Sequence, residues 1–187
     1  MFDGAIVPVN PGGVAIAGWI IKDQLGNIIA HGAREVCRGD GATSNVAEWA
    51  AVVDGIKTFK AMNRNIQLEI RGDSKLVIDA LGKKAKGAAN LVPYKKEANK
   101  LLQGIQFTSQ WVPREQNREA DALCERYYKT IEPFDPRSLS ADHWWNEPIT
   151  EDQASFLRTK GVVDIPLTKG KASALISRLI KPKTKNS

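Results

Sequence analysis

The feature that most constrains the fold is a change in hydrophobic period near residue 43. Before it, apolar stretches rich in β-branched residues cover residues 6–9, 14–21 and 28–36, with short turn sequences between them. Consecutive strands joined by short turns predict an antiparallel meander. After it, apolar residues recur at helical spacing from Val46 to Ile56, which predicts the first long helix.

The rest of the first 130 residues alternates between strand and helix patterns. These patterns predict, in order, a strand at 66–70, helices at 74–81 and 91–102, a strand at 105–112 and a helix at 117–128. We expect Asp73 to cap the helix that follows it. A meander followed by such units predicts an α/β domain with a mixed sheet covered by helices.

The composition changes after residue 130, and this change predicts the domain organisation. The predicted segments are a main domain at 1–130, a linker with the aromatic patch His143-Trp144-Trp145 at 131–149, a two-helix accessory segment at 150–181 and a basic tail at 182–187. Thr150 begins a capping-box sequence at the first of these helices. An accessory nucleic-acid clamp is one hypothesis for this segment, and a packing or dimer contact is the alternative.

Charge and composition narrow the class of protein. The 187 residues carry a formal net charge of +6, which suits a polyanionic partner. Apolar runs fall short of the roughly 20 residues of a membrane span, and the start lacks the pattern of a secretory signal. Cys37 and Cys124 match neither a zinc spacing nor a dense disulfide framework. We therefore expect a cytoplasmic protein without membrane contact.

Four acidic residues stand where a charge needs an explanation. Asp3 opens an apolar strand, Glu48 lies among small and apolar helix residues, and Asp73 joins a strand end to a helix. Asp121 lies in the first turn of the last long helix of the main domain. Each has an ordinary alternative: a solvated chain end, an exposed helix face, a helix cap and a favourable helix-dipole contact, respectively.

Gathered at one place, these carboxylates would have a chemical meaning. Their mutual repulsion requires protons or cations, and Mg²⁺ prefers oxygen ligands. Two such ions about 3.5–4 Å apart can activate a water and stabilise the leaving oxygen of a phosphoryl displacement. The sequence has only two histidines and no paired cysteines, so it offers no rival metal chemistry.

Five ordered motifs resemble the ribonuclease H type 1 family. They are Phe2-Asp3-Gly4-Ala5, Asn10-Pro11-Gly12, Thr43-Ser44-Asn45-Val46-Ala47-Glu48, Gly72-Asp73-Ser74-Lys75-Leu76-Val77 and Asn117-Arg118-Glu119-Ala120-Asp121-Ala122-Leu123. The resemblance covers roughly residues 1–128. It implies the RNase H-like fold, a five-stranded mixed sheet with its first three strands antiparallel and flanking helices, to which this chain adds a small helical C-terminal appendage.

The resemblance also implies an activity and its residues. The family's four acidic positions fall on Asp3, Glu48, Asp73 and Asp121, which would bind two Mg²⁺ ions, with Mn²⁺ as a substitute. The implied reaction is hydrolysis of the RNA strand of an RNA–DNA hybrid, which leaves 5′-phosphate and 3′-hydroxyl ends. Asp3 and Asp73 would be the central ligands, Glu48 would also orient the nucleophile, and Asp121 would help to hold the second ion.

Further positions match places near the hybrid in this family. Asn10 and Asn45 carry amides that can donate and accept, which suits recognition of 2′-hydroxyls across the minor groove. The other predicted nucleic-acid contacts are Thr43, Ser44, Lys75, Arg114 and Asn117. Turn and cap formation is the alternative role for the residues around the start of the first long helix.

One loop departs from the pattern of many bacterial members. No histidine lies between Trp111 and Asp121, and Arg114 stands there instead, which resembles the plant- and archaeal-type branch. An arginine cannot shuttle a proton at neutral pH. We expect Arg114 to steady a phosphate or assist product departure, and its alternative is an ion pair with Glu115 or Glu119.

The leading hypothesis is therefore a hybrid-specific endonuclease that acts as a monomer, with a dimer through the C-terminal segment as the alternative. A non-catalytic nucleic-acid-binding module is a second class, but clustered anions facing phosphates would weaken such a module. A third is a related superfamily nuclease that acts on duplex RNA or branched DNA. Asn10 and Asn45 favour hybrids over these substrates.

Overall fold

The computed structural model describes residues 1–63, 66–84, 86–162 and 166–180. The chain divides into two compact units, Met1–Phe134 and Asp135–Ser187. Ile131 and Phe134, which lie in the stretch predicted as a linker, pack against the buried core of the first unit. The basic tail predicted at 182–187 lies outside the described residues.

The first three strands form the predicted antiparallel meander. They are β1 (Phe2–Val7), β2 (Gly12–Lys22) and β3 (Ile28–Gly39), in the order β1-β2-β3. Asp3 belongs to the first strand, as predicted: pairing with β2 starts at Phe2 opposite Trp19 and puts Asp3 opposite Gly18. Asp3 is therefore part of the sheet.

The remaining strands, β4 (Leu68–Gly72) and β5 (Phe107–Trp111), form a parallel pair. The predicted single mixed sheet is thus divided, within the described residues, into hydrogen-bonded groups of three and two strands. β4 meets β1 through side-chain packing, because a Cβ at Gly72 would lie 2.4 Å from the ring of Phe2. The mixed α/β architecture with an antiparallel first sheet is confirmed.

Four helices complete the first unit: α1 (Ser44–Ala61), α2 (Lys75–Ala80), α3 (Val92–Leu102) and α4 (Arg118–Tyr128). Thr43 caps α1, as its hydroxyl accepts a hydrogen bond from the N–H of Val46 at 3.3 Å. The apolar face of α1, with Trp49 and Ile56, is buried against the sheet and α3. Burial of such a face, rather than helix propensity, supplies most of the stability of a helix in a protein.

Two glycines let helices approach the sheet from opposite faces. A Cβ at Gly4 in β1 would lie 2.2 Å from the backbone nitrogen of Glu48 in α1. A Cβ at Gly18 in β2 would lie 2.7 Å from the Sγ of Cys124 in α4. Because only glycine fits these contacts, α1 and α4 bring their acidic residues close to β1.

The second unit contains α5 (Glu151–Thr159) and α6 (Lys169–Ile180). The capping box predicted at Thr150 is confirmed, with hydrogen bonds in both directions between Thr150 and Gln153. The ring of Trp145 occupies the space where Gly170 in α6 lacks a side chain. Among the described helices, none combines the length and the apolar character that crossing a membrane would require.

Candidate active site

Three of the four predicted acids come together where β1, α1 and the end of β4 meet. One carboxylate oxygen from each of Asp3, Glu48 and Asp73 lies within 4.8 Å of the other two. Asp3 belongs to β1, Glu48 is the fifth residue of α1, and Asp73 directly follows β4. Carboxylates this close to one another must share protons or a cation.

Asp3 is held inside the protein by its place in the sheet. It is only 6 % exposed, which contradicts the alternative of a solvated chain end. Its backbone carbonyl accepts a long contact from the Cys124 thiol, with 3.7 Å between Sγ and O. A buried carboxylate without a cationic partner is unfavourable, so this position requires a functional explanation.

Glu48 approaches β1 through the space that Gly4 leaves open. The backbone N–H of Gly4 interacts favourably with the Glu48 carboxylate and lowers its pKa, although burial outweighs this effect. The other oxygen, Oε2, is buried and has no hydrogen-bond partner among the described residues. Glu48 therefore does not lie on an exposed helix face, and one of its oxygens remains available to a ligand.

Asp73 does not cap the following helix, which corrects the prediction made from its position. Ser74 is the N-cap residue of α2. The Asp73 carboxylate instead accepts a hydrogen bond from Nδ2 of Asn117 at 2.7 Å, and its backbone carbonyl accepts one from Nε1 of Trp111 at 2.9 Å. Because these contacts hold both its carboxylate and its backbone, Asp73 is fixed toward the other acids.

Asp121 stands at the edge of this group rather than within it. Its carboxylate, which is 41 % exposed, pairs with Arg114 at 3.2 Å. The predicted convergence of four acids is therefore met by three, because this ion pair and exposure to solvent hold the fourth at the rim. Within the part of the chain that the structure describes, Arg114 pairs with neither Glu115 nor Glu119, and Glu119 pairs with Lys22.

Burial and mutual repulsion dominate the electrostatics of the group. Burial, followed by the charges of Asp73 and Asp121, raises the pKa of Asp3 to about 7. Burial, followed by the charges of Asp3 and Asp73, raises the pKa of Glu48 to about 9. The charge of Asp121, with smaller contributions from Asp3 and Asp73, raises the pKa of the Arg114 guanidinium.

These residues fit a hard divalent cation. The three converging side chains offer only carboxylate oxygens, the ligand type that Mg²⁺ prefers. A cation would supply the partner that the buried Oε2 of Glu48 lacks among the described residues. It would also relieve the repulsion that raises the pKa values of Asp3 and Glu48.

Four of the predicted nucleic-acid contacts lie together at the start of α1. Nδ2 of Asn10 donates to Oγ of Ser44 at 2.7 Å. Thr43 is the helix cap, and Asn45 is exposed one turn before Glu48. The amide and hydroxyl groups of this cluster therefore adjoin the acidic group along the same helix.

The other predicted contacts are separated from one another. Lys75 is exposed in α2 and pairs with Asp79 at 3.3 Å. Arg114 is 76 % exposed beside Asp121. Asn117 is completely buried, and its side chain donates to the backbone of β1 and to Asp73, so its contact with nucleic acid stays a prediction.

Two residues of the site were not singled out from the sequence. Gly4 appears there only as part of a motif, although a glycine inside a strand is a known sign of close backbone approach. Trp111, whose ring is 48 % exposed, ends β5 and donates to the Asp73 carbonyl. No local sequence pattern indicates that contact, because it joins residues 38 positions apart.

A family model and several solved structures are similar to this chain, and they agree on its family. A family model described as reverse transcriptase-like matches residues 1–127. The crystal structure of RNase H1 from the halophilic archaeon Halobacterium salinarum NRC-1 is similar to the chain, with 31 % identity over 70 % of this chain and 96 % of that chain and a TM-score of 0.61. The N-terminal RNase H domain of rv2228c from Mycobacterium tuberculosis has 26 % identity, covers 67 % and 88 % of the two chains and gives a TM-score of 0.60.

A third solved structure supports the fold. LC11-RNase H1, isolated from compost by a metagenomic approach and solved in complex with an RNA/DNA hybrid, shares 22 % identity over 70 % of this chain and 96 % of its own, with a TM-score of 0.62. The family match spans more than half of the chain, and the archaeal protein is matched over nearly its whole length. The chain therefore belongs to the reverse transcriptase-like family, on its ribonuclease H1 branch.

Proposed function

We propose that the protein is an endonuclease that hydrolyses the RNA strand of RNA–DNA hybrids and leaves 5′-phosphate and 3′-hydroxyl ends. The observation that carries this proposal is the convergence of Asp3, Glu48 and Asp73 within 4.8 Å. The hybrid bound to LC11-RNase H1, a protein of the same fold, supports the choice of substrate. The proposed compartment is the cytoplasm, and the proposed state is a monomer.

The proposed cofactor is Mg²⁺, two ions per site, with Mn²⁺ as a substitute. Asp3 and Asp73 would be the central ligands, Glu48 would add one oxygen, and Asp121 would complete the second position from the rim. When bound, the ions supply water activation and neutralisation of charge on the leaving oxygen. Asp121 would then exchange its ion pair with Arg114 for a metal ligand role.

The chain's own residues have distinct parts in this proposal. Glu48, with a pKa raised to about 9, can hold a proton until a cation binds and then serve as an acceptor that orients the attacking water. Arg114, released from Asp121, would donate hydrogen bonds to a phosphate. Asn10 and Asn45 would read 2′-hydroxyls, with Ser44 and Thr43 near a phosphate at the start of α1.

The decisive experiment is a cleavage assay with four labelled substrates: RNA–DNA hybrid, duplex RNA, duplex DNA and a branched DNA junction. Each is incubated with Mg²⁺, Mn²⁺ or EDTA, and the product ends are mapped. We expect cutting of the RNA strand of the hybrid with either metal and none with EDTA. Preferential cutting of duplex RNA or the junction would instead support a related superfamily nuclease, and binding without cutting would support a non-catalytic module.

A matched pair of variants links the activity to the site. Asp73→Asn removes a converging carboxylate, and we expect it to lower cleavage by more than about 100-fold, the scale of removing one group that stabilises transition-state charge. Asp79→Asn makes the same chemical change at an exposed position of α2 and should stay within about twofold of the unaltered protein. Equal cutting by Asp73→Asn would overturn the proposed site.

A further inference from the structure

The side chain of Asn117 joins the strand that carries Asp3 to the carboxylate of Asp73. It is completely buried. Its Nδ2 donates two hydrogen bonds, one to the backbone carbonyl of Phe2 at 2.8 Å and one to Oδ1 of Asp73 at 2.7 Å. A carbonyl and an ionised carboxylate can only accept, so this place requires the two N–H groups of an amide.

The backbone of Asn117 adds a third connection. Its carbonyl accepts hydrogen bonds from the N–H groups of Ala120 and Asp121, at 3.1 and 3.2 Å, in the first turn of α4. One residue thus connects β1, the end of β4 and the start of α4. These three elements carry Asp3, Asp73 and Asp121.

Folding alone does not explain an amide at this position. Oδ1 of Asn117 is buried without a hydrogen-bond partner among the described residues, and an unsatisfied buried acceptor costs about 1–3 kcal/mol. The side chain does not cap α4 through a hydrogen bond to any described residue either. The feature that distinguishes asparagine from other residues of similar size is therefore its pair of donated hydrogen bonds, which joins the carboxylate of Asp73 to the Phe2 carbonyl in β1.

We propose that Asn117 is a positioning residue for the carboxylate of Asp73. Its two donated hydrogen bonds fix that carboxylate relative to β1, so that Asp3, Glu48 and Asp73 form one cation site before a cation arrives. The proposal rests on the proposed function and replaces the nucleic-acid contact predicted for Asn117. A ligand that is already ordered gives up less conformational entropy on binding, which strengthens the cation site.

Two variants separate this role from a purely structural one. Asn117→Asp keeps the shape and replaces the donor with an acceptor, whereas Asn117→Ser keeps a smaller donor. Asn99→Asp is the matched control, because the Asn99 amide donates to the Lys83 carbonyl at 2.7 Å on α3. Circular dichroism and thermal unfolding are used first to find one temperature at which all the variants are folded, and binding is measured at that temperature.

The primary measurement is calorimetric Mn²⁺ binding by the full chain without nucleic acid. We expect Asn117→Asp to weaken Mn²⁺ affinity by about 10–100-fold, the range found when residues that orient metal ligands are changed. Asn117→Ser should lie between this variant and the unaltered protein, and Asn99→Asp should match the unaltered protein. In Mg²⁺, kcat for the hybrid should fall with the affinity, while KM changes less than about twofold.

A folded Asn117→Asp protein that binds Mn²⁺ as tightly as the unaltered protein would overturn the proposal, even if it unfolded at a lower temperature. If Asn117→Asp does not fold, unchanged Mn²⁺ affinity in Asn117→Ser overturns it and weakened affinity supports it. Failure of the proposed function gives a different result. In that case the unaltered protein binds Mn²⁺ but cuts no hybrid, and the binding data alone decide the role of Asn117.

Discussion

At the scale of single residues, the repulsion among the converging carboxylates affects stability as well as chemistry. The pKa values of Asp3 and Glu48 rise from 3.8 and 4.5 to about 7 and about 9 in the folded protein. At a pH between the unfolded and the folded pKa of either residue, the folded protein retains a proton that the unfolded chain has released. The free energy of unfolding of the metal-free protein therefore falls as pH rises from about 4 to about 9.

Glu48→Gln should stabilise the metal-free protein at alkaline pH, because folded Glu48 must keep a proton there that the unfolded chain has released, whereas a glutamine of the same shape is neutral in both states. At pH 8 in EDTA we expect the free energy of unfolding to rise by about 1–3 kcal/mol. The gain should be smaller at pH 5.5, which lies closer to the unfolded pKa of 4.5, so that keeping the proton in the folded protein costs less. Thermal unfolding at both pH values measures this, with exposed Glu115→Gln as the control. A Glu48→Gln protein less stable than the unaltered one at pH 8 would contradict the assigned burial of this charge.

Arg114→Ala tests the rim of the site. If Arg114 leaves Asp121 to contact a phosphate, its removal should weaken hybrid binding about threefold to tenfold and lower the salt dependence by about one phosphate contact. Fluorescence anisotropy with Ca²⁺ in place of Mg²⁺ measures both quantities, because Ca²⁺ also takes carboxylate oxygens as ligands and lets Asp121 leave Arg114. Arg118→Ala, which removes the same charge from an exposed position nearby, is the control. An unchanged salt slope in Arg114→Ala would limit Arg114 to its ion pair with Asp121.

The residue types of the site could be predicted from the sequence, but not all of their roles. The acids were identified because their ordered motifs had no rival metal chemistry, and three of them do converge. The side chain of Asn117 was assigned to the surface because its burial depends on β1, which lies 115 positions away from it at Phe2. The sequence predicts Asp73 as a helix cap because a local pattern cannot reveal its actual partner, Asn117, which lies 44 positions away.

At the scale of elements, the separation between β1 and α1 determines where Glu48 lies. The contact at Gly4 brings the helix backbone so close that a single methyl group would overlap it. The separation is therefore set by the absence of a side chain. The same contact brings the Gly4 N–H close enough to the Glu48 carboxylate to lower its pKa.

Gly4→Ala should separate α1 from β1 and impair both stability and activity. A Cβ at this position would lie 2.2 Å from the nitrogen of Glu48, and overpacking against backbone costs about 1–3 kcal/mol or more. We expect chemical denaturation to show this loss and hybrid cleavage to fall by at least about tenfold. Gly41→Ala is the control, since no atom lies within 4 Å of its added Cβ. Equal stability of the two variants would contradict the close packing at Gly4.

Local patterns predicted the kind and order of the elements better than their connections. Alternating residues and turns gave the meander, and helical spacing gave α1 through α4, because both signals lie within one segment. The division between the two strand groups depends on pairing partners from distant segments. Such long-range pairing leaves little trace in any single stretch of sequence.

At the scale of the whole molecule, charge is distributed unevenly between the two units. Residues 135–187 carry nine basic and six acidic residues, a net charge of +3 that is half of the total on less than a third of the chain. All the converging acids belong to Met1–Phe134. The positive charge of the second unit suits attraction of phosphates.

Removal of residues 135–187 should separate these contributions. We expect the remaining unit to cleave hybrid with kcat within about threefold of the full chain, because it retains every acid of the site. Its affinity for hybrid should fall about tenfold at low salt, with a shallower salt dependence, as basic phosphate contacts are lost. Anisotropy and cleavage assays at several salt concentrations measure both effects. Unchanged affinity and salt slope would eliminate the hypothesis of an accessory clamp.

The thiol of Cys124 is fully enclosed between α4 and the strands that carry Asp3 and Gly18. A small alkylating reagent can reach it only when α4 lifts away from those strands. The rate at which the reagent modifies Cys124 in the native protein therefore measures how often α4 opens. Cys37, the other free thiol, is half-buried in β3 and reports a separate event. Cys124 is thus a built-in probe of how often α4 separates from the strand that carries Asp3.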